Sequence, residues 1–122
     1  MPRKSSSSAG AVYLDRDRRI EELRAAARRA VAIVPRLRRV ILFGSLVEGI
    51  PTPRSDADLL VILAESEYRE PRDRVPTMMR ALMPLPCPID LIVLTDEELE
   101  RHRSEGNPLV REALDHGRDL LA

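Results

Sequence analysis

Apolar residues recur with a helical period in the first third of this chain. Between residues 15 and 34 they fall three or four positions apart: Ile20, Leu23, Ala27, Val31 and Val34. Arginine and glutamate fill most of the positions between them, and Pro35 cannot continue a helix. The pattern predicts an amphipathic helix over residues 15–34, with a solvated, arginine-rich outer face.

Three short apolar runs predict strands instead. They occupy residues 38–43, 57–63 and 89–94, with the sequences RRVILF, ADLLVIL and IDLIVL. None of them alternates with polar residues along its length, as a strand with one face in water would. We therefore expect a small sheet with helices on one or both of its faces.

Capping signals and a further apolar stripe predict three more helices. Residues 71–83 carry a helical stripe made of Val75, Met79 and Leu82. The sequence TDEE, Thr95 to Glu98, is a capping box that starts a helix running to about residue 103. Asn107 and Pro108 start the last helix, which we expect to end at Gly117 in a left-handed cap.

The resulting order is helix, strand, strand, helix, strand, helix, helix. It predicts an α/β (α+β) protein in which a small mixed β-sheet is flanked by helices. The serine-rich start predicts a disordered tail over residues 1–12, which leaves a single domain over residues 13–122. No apolar run approaches the ~18 residues that a transmembrane helix needs, so no membrane partner is expected.

Composition narrows the class of function. The 122 residues carry 20 basic and 20 acidic side chains and only 2% aromatic residues. This balance argues against strong nucleic-acid binding, and a polymerase or RNA-tailing role is correspondingly disfavoured. The lone cysteine, Cys87, excludes an internal disulfide and fits a reducing, cytoplasmic compartment.

Aspartates open two of the predicted strands, in the stretch GSLVEGIPTPRSDADLLVIL and again in PIDLIVL. Asp56 and Asp58 are two positions apart, so they point to the same face of their strand. Two such carboxylates repel each other unless a cation lies between them, and Mg²⁺ prefers these ligands. If the 57–63 and 89–94 strands are neighbours, Asp90 joins the cluster. Three such acids suit two-metal phosphoryl or nucleotidyl transfer.

Gly44 and Ser45 follow the first predicted strand and precede one expected helical turn over LVEG. Such a turn presents backbone N–H groups and a hydroxyl, which together bind anions. The absence of a side chain at Gly44 lets a phosphate approach the backbone.

With these residues in place, the chain resembles a known family. Gly44-Ser45, ten intervening residues and Asp56-Ala57-Asp58 are similar to the G-S-x10-D-x-D signature of the DNA-polymerase-beta-like nucleotidyltransferases. Asp90 stands where the third carboxylate of that superfamily is expected. The short chain looks like a minimal nucleotidyltransferase (MNT), whose members are often antitoxins paired with a helical HEPN toxin.

The resemblance implies a role for each matching residue. Asp56, Asp58 and Asp90 would bind two Mg²⁺ ions, and Asp90 would also help to activate the attacking hydroxyl. Gly44, Ser45 and Ser55 would bind the nucleotide, with ATP as the substrate. The acceptor would be a protein hydroxyl, expected to be a tyrosine of the HEPN toxin, because some members of the family transfer AMP to such a residue.

Two other functions stay open at this point. The chain could neutralise a toxin by forming a complex alone, because 122 residues leave few groups to enclose an adenine. Glu48, which stands where the family commonly carries a basic residue, is a departure in the same direction. It could also modify a small molecule such as an antibiotic, with a homodimer supplying the wall that a second domain usually provides. A homo-oligomer or a hetero-oligomer would complete the open site in either case.

Overall fold

The computed structural model describes the backbone of residues 3–44, 47 and 57–122, and the side chains from residue 16 onward within those ranges. Within them the elements follow in this order: α1 (Arg3–Ile33), β1 (Leu37–Phe43), β2 (Ala57–Leu63), a 3-10 helix (Pro71–Arg74), α2 (Val75–Leu82), β3 (Ile89–Thr95), α3 (Asp96–Ser104), α4 (Pro108–His116) and β4 (Arg118–Asp119). No helix in this described part is long and apolar enough to cross a membrane.

The described strands form one mixed sheet in the order β3-β2-β1-β4. β1 is antiparallel to β2 and to β4, whereas β2 and β3 are parallel. The predicted fold class and the three predicted strands are therefore confirmed. The short β4 was not predicted, because two residues are too few to show a hydrophobic period.

Helices cover both faces of the sheet. On one face, α1 and α2 pack against alternate residues of the strands, such as Val40, Leu59 and Val93. On the other face, α3 and α4 pack against the residues between them, such as Ile41 and Leu60. Central strands covered on both sides need apolar residues at successive positions, which explains the unbroken runs in the sequence.

The buried face of α1 differs from the predicted one. It consists of Ile20, Leu23, Ala26, Ala27 and Ala30, whereas Val31 is 41% exposed. The prediction that Val31 faces inward is therefore wrong. The small alanines occupy the buried stripe of the helix, and Val31 follows Ala30 by about 100° around the helix axis, which turns it outward. α1 begins at Arg3, before the predicted start, and the division into a tail and a domain stays a prediction.

Several arginines of α1 are also not simply solvated, contrary to the prediction. Arg24 Nη1 donates to the backbone oxygen of Leu120 at 3.1 Å, which ties the C-terminus of the chain to the helix. Arg29 Nη2 donates to the backbone oxygen of Leu82 at 3.2 Å and to that of Pro84 at 2.8 Å. The bond to Leu82 satisfies a carbonyl that the end of α2 leaves without a helical partner, and the bond to Pro84 holds the chain that follows.

The predicted starts of α3 and α4 are confirmed, and one helix end is corrected. Thr95 and Glu98 form the capping box of α3, and the Asn107 side chain accepts from two backbone N–H groups at the start of α4. Gly117 does follow α4, but its φ of −77° and ψ of 169° are extended, so the left-handed cap was wrong. A Cβ at Gly117 would overlap Ala113 O, which explains why a glycine stands there.

One buried cation joins the 3-10 helix to β3 and α3. The Arg74 side chain is only 4% exposed, and its Nη2 lies 3.0 Å from Oε2 of Glu98. Arg74 also donates to the backbone oxygens of Tyr68 at 2.9 Å and of Val93 at 3.1 Å. A buried guanidinium needs such a full set of acceptors, since its desolvation is otherwise costly.

Candidate active site

Two of the predicted carboxylates lie side by side at one end of the sheet. Asp58 of β2 and Asp90 of β3 are direct partners in the parallel ladder. Partners in such a register point to the same face, which here is the face that α3 and α4 cover. Asp58 is half-buried and Asp90 is exposed, so the pair lies where the covered face opens to solvent.

A backbone hydrogen bond holds this register beside the carboxylates. Ala57 N, in the residue before Asp58, donates to the backbone oxygen of Pro88 at 3.1 Å. At the far end of the same ladder, Leu63 pairs with Thr95, where Glu98 and Arg74 begin their network. The two parallel strands are therefore fixed at both ends, which keeps the carboxylates level with each other.

Gly44 brings the chain after β1 directly against Asp58. Phe43 is the ladder partner of Asp58, and Gly44 follows it with a φ of +88°. A Cβ built on Gly44 would overlap Asp58 Oδ2, so the carboxylate lies on the backbone itself. Any residue but glycine would be strained here by its backbone and by this neighbour.

The turn after Gly44 is defined at Val47. Val47 N donates to Gly44 O at 3.1 Å, which ties these two described residues together. Val47 O in turn accepts from Arg16 Nη2 of α1 at 2.8 Å. Sequence reasoning missed Arg16, because nothing distinguishes it from the other arginines in the helical pattern of residues 15–34.

Three predicted site residues, Ser45, Ser55 and Asp56, lie outside the described residues. Among the residues that the structure does describe, no three metal-ligating side chains cluster together. The described pair, Asp58 and Asp90, supplies carboxylate oxygens, which suit Mg²⁺ and leave further positions for water or phosphate oxygens. The chemistry of these donors therefore fits a magnesium ion, with Asp56 as the predicted additional ligand.

Comparison with known proteins gives this arrangement its family. The sequence model described as "Nucleotidyltransferase domain" matches residues 20–120, which span β1 to β4 and most of the core of α1. The chain belongs to the nucleotidyltransferase domain family. No curated protein sequence matches it.

Solved structures support the same fold for this nucleotidyltransferase domain. A candidate nucleotidyltransferase from Sulfolobus solfataricus aligns with a TM-score of 0.60 and 23% identity, over 74% of this chain and 78% of that one. The crystal structure of a toxin–antitoxin with AMP-PNP aligns with a TM-score of 0.54 and 22% identity, over 81% of this chain and 73% of that one.

The described geometry of this nucleotidyltransferase domain suits charge-stabilised transfer. A glycine turn lies on one side of Asp58, and the exposed Asp90 lies on the other, toward the edge of the sheet. An anion bound close to Gly44 would therefore lie next to a carboxylate. The two negative charges repel each other unless a cation lies between them. Paired carboxylates beside a glycine backbone are what metal-assisted chemistry on a phosphate needs.

Proposed function

We propose that this nucleotidyltransferase transfers AMP from ATP to a hydroxyl of another protein in a Mg²⁺-dependent reaction. We further propose that it acts in the cytoplasm as the antitoxin of a HEPN toxin, with a toxin tyrosine as the acceptor. The observation that carries the proposal is the level placement of Asp58 and Asp90, with Gly44 against Asp58. Packing does not require two carboxylates at adjacent strand starts, whereas nucleotidyl transfer does.

In this proposal each residue has one task. Asp56, Asp58 and Asp90 would hold two Mg²⁺ ions, which supply charge neutralisation for the entering and leaving oxygens. Gly44, Ser45 and Ser55 bind the nucleotide, the first two at the β and γ phosphates. Asp90 is more exposed than Asp58, so we assign it to the acceptor side, where it helps to activate the hydroxyl.

The transfer itself exchanges a phosphoanhydride bond for a phosphoester bond. The acceptor oxygen attacks the α-phosphorus in line, the bond to the β-phosphate oxygen breaks, and pyrophosphate leaves. The acceptor loses its proton to the site, on the side of Asp90. The protein contributes mainly by positioning the acceptor and the nucleotide, which is the larger part of catalysis in reactions of this kind.

One structural neighbour supports a protein as the acceptor. One similar fold belongs to a toxin–antitoxin that was crystallised with AMP-PNP, an ATP analogue. An antibiotic-modifying enzyme would need an additional wall to hold its acceptor, and such a wall would have to come from a second copy of this chain. A partner protein that carries its own hydroxyl needs no such wall.

The deciding experiment uses ATP labelled at the α-phosphate. The purified chain, Mg²⁺ and a lysate of the source cell are incubated together, and labelled protein is sought on a gel. We expect one labelled band that disappears with Asp58→Asn, and mass spectrometry then identifies the acceptor residue. If no protein is labelled while the chain still co-purifies with a helical partner, neutralisation by complex formation is the better account. Labelling of an aminoglycoside instead would favour the small-molecule enzyme.

A further inference from the structure

A single arginine of α1 connects this helix to the turn at the candidate active site. Arg16 lies one helical turn before Ile20, which is 2% exposed in the core. The packing of Ile20 therefore fixes where Arg16 stands. From there its Nη2 reaches the backbone oxygen of Val47 at 2.8 Å, a contact between residues 31 positions apart in the chain.

The bond from Arg16 acts on the turn that begins with Gly44. Val47 O accepts from Arg16, and Val47 N donates to Gly44 O at 3.1 Å. Both polar groups of one peptide residue are thus used to close the turn and to attach it to α1. Gly44 adopts its positive φ without strain, but glycine has many other accessible conformations, so surrounding contacts are needed to hold this one.

We infer that Arg16 is a positioning residue, which holds Val47 and through it Gly44 in place beside Asp58, where the nucleotide phosphates are proposed to bind. This inference rests on the proposed function, because it assigns Arg16 to the nucleotide side of the same site. It differs from a general stabilising role in one respect. Its loss should weaken nucleotide binding more than it weakens the fold.

The same helix offers a matched control. Arg24 also donates a hydrogen bond to a distant backbone oxygen, that of Leu120, at 3.1 Å. Both bonds link α1 to a distant part of the chain, yet only the bond of Arg16 reaches the turn beside Asp58. Arg16→Ala and Arg24→Ala therefore remove similar contacts with different expected consequences.

The test compares binding and turnover in the full-length chain. The dissociation constant for AMP-PNP with Mg²⁺ is measured by calorimetry, and KM for ATP and kcat are measured by transfer of the α-phosphate label. We expect Arg16→Ala to raise the dissociation constant and KM about tenfold, with a smaller change in kcat. Arg24→Ala should leave both constants unchanged, and Arg16→Lys should restore part of the affinity, since it keeps a charged donor.

A second measurement does not depend on turnover. Hydrogen exchange at the Val47 amide should speed up in Arg16→Ala and not in Arg24→Ala, while the amides of β1 stay protected in both. If Arg16→Ala is unstable, Arg16→Lys carries the comparison. Equal nucleotide affinity in the wild type, Arg16→Ala and Arg24→Ala would overturn the inference and leave the proposed function intact. A wild-type chain that binds no AMP-PNP would overturn the proposed function itself.

Discussion

The backbone of Gly44 lies so close to the carboxylate of Asp58 that no side chain fits between them. The contact joins the end of β1 to the start of β2, across the ladder pair of Phe43 and Asp58. The backbone of Gly44 thus both ends β1 and contacts a carboxylate of the candidate active site. Its lack of a Cβ permits both the positive φ and the position of Asp58.

Substitution of Gly44 is the first test of this contact. Gly44→Ala must place a Cβ in a left-handed conformation, which costs about 1–2 kcal/mol of stability. It must also displace the Asp58 carboxylate, so we expect nucleotidyl transfer to fall more steeply than stability does. Urea unfolding and initial rates of transfer measure the two effects.

A second glycine separates the backbone cost from the steric one. Gly106 has a φ of +74°, yet a Cβ there meets nothing within 4 Å. Gly106→Ala should therefore lose only the stability that an alanine loses in a left-handed conformation. Its nucleotidyl transfer activity should be unchanged. Equal activity in the two variants would show that displacement of Asp58 does not matter for transfer.

The two described carboxylates make the next prediction. Asp58→Asn and Asp90→Asn keep the size of each side chain and remove its charge, so metal binding is weakened while the fold is kept. We expect each variant to lose transfer by at least about a hundredfold, with melting temperature unchanged or raised, because two like charges no longer face each other. Asp115→Asn, at an exposed position of α4, is the control and should stay active. Full activity of Asp90→Asn would remove Asp90 from the proposed mechanism.

The contact face of α1 gives a prediction about packing. Ala30 is fully buried, whereas its neighbour Val31 is 41% exposed. Ala30→Leu adds volume where the helix lies close to the sheet and should cost about 1–3 kcal/mol. Val31→Ser should change stability by about 0.5 kcal/mol or less. Chemical denaturation of both variants checks the rotation of the helix, and the reverse ranking would contradict it.

What the sequence could predict depended on how local the signal was. The capping box at Thr95 and Glu98 and the cap at Asn107 involve neighbours in the chain, so residue spacing was sufficient. The strands contain unbroken runs of four or five apolar residues, which left little choice of element. Val31 went wrong because alanine and valine both count as apolar, and only the distance between α1 and the sheet decides which of them faces inward.

The candidate site divides in the same way. The spacing of Gly44, Asp58 and Asp90 pointed to one cluster on the condition that two strands are neighbours, and the parallel ladder meets that condition. Arg16 and Arg74 had no signal, because their partners are backbone oxygens far along the chain. A backbone carbonyl leaves no trace in the sequence, so an arginine that binds one resembles any solvated arginine.

The Arg74 and Glu98 pair gives a prediction about pH. The hydrogen bond from Arg74 holds the pKa of the Glu98 carboxyl below its usual 4.5, and the bonds to Thr95 act in the same direction. A lowered pKa in the folded state means that the pair stabilises the protein above about pH 4.5, and that this contribution is lost as the pH falls through the folded pKa. Glu98→Gln should therefore reduce stability at neutral pH and flatten its decline in acid.

The size of the effect follows from burial. Glu98 is 15% exposed and Arg74 is 4% exposed, so Arg74→Met leaves Glu98 and several backbone oxygens without a donor and should cost about 3 kcal/mol of stability.

Glu100 and Arg103 form a comparable pair on α3 that lies open to solvent, where the pKa of Glu100 is also lowered by the hydrogen bond from Arg103. Since water and salt screen an exposed pair, Glu100→Gln should leave the acid profile unchanged at high salt. Urea midpoints from pH 3 to pH 7 decide between the pairs, and identical profiles for Glu98→Gln and the wild type would show that the buried pair does not set acid stability.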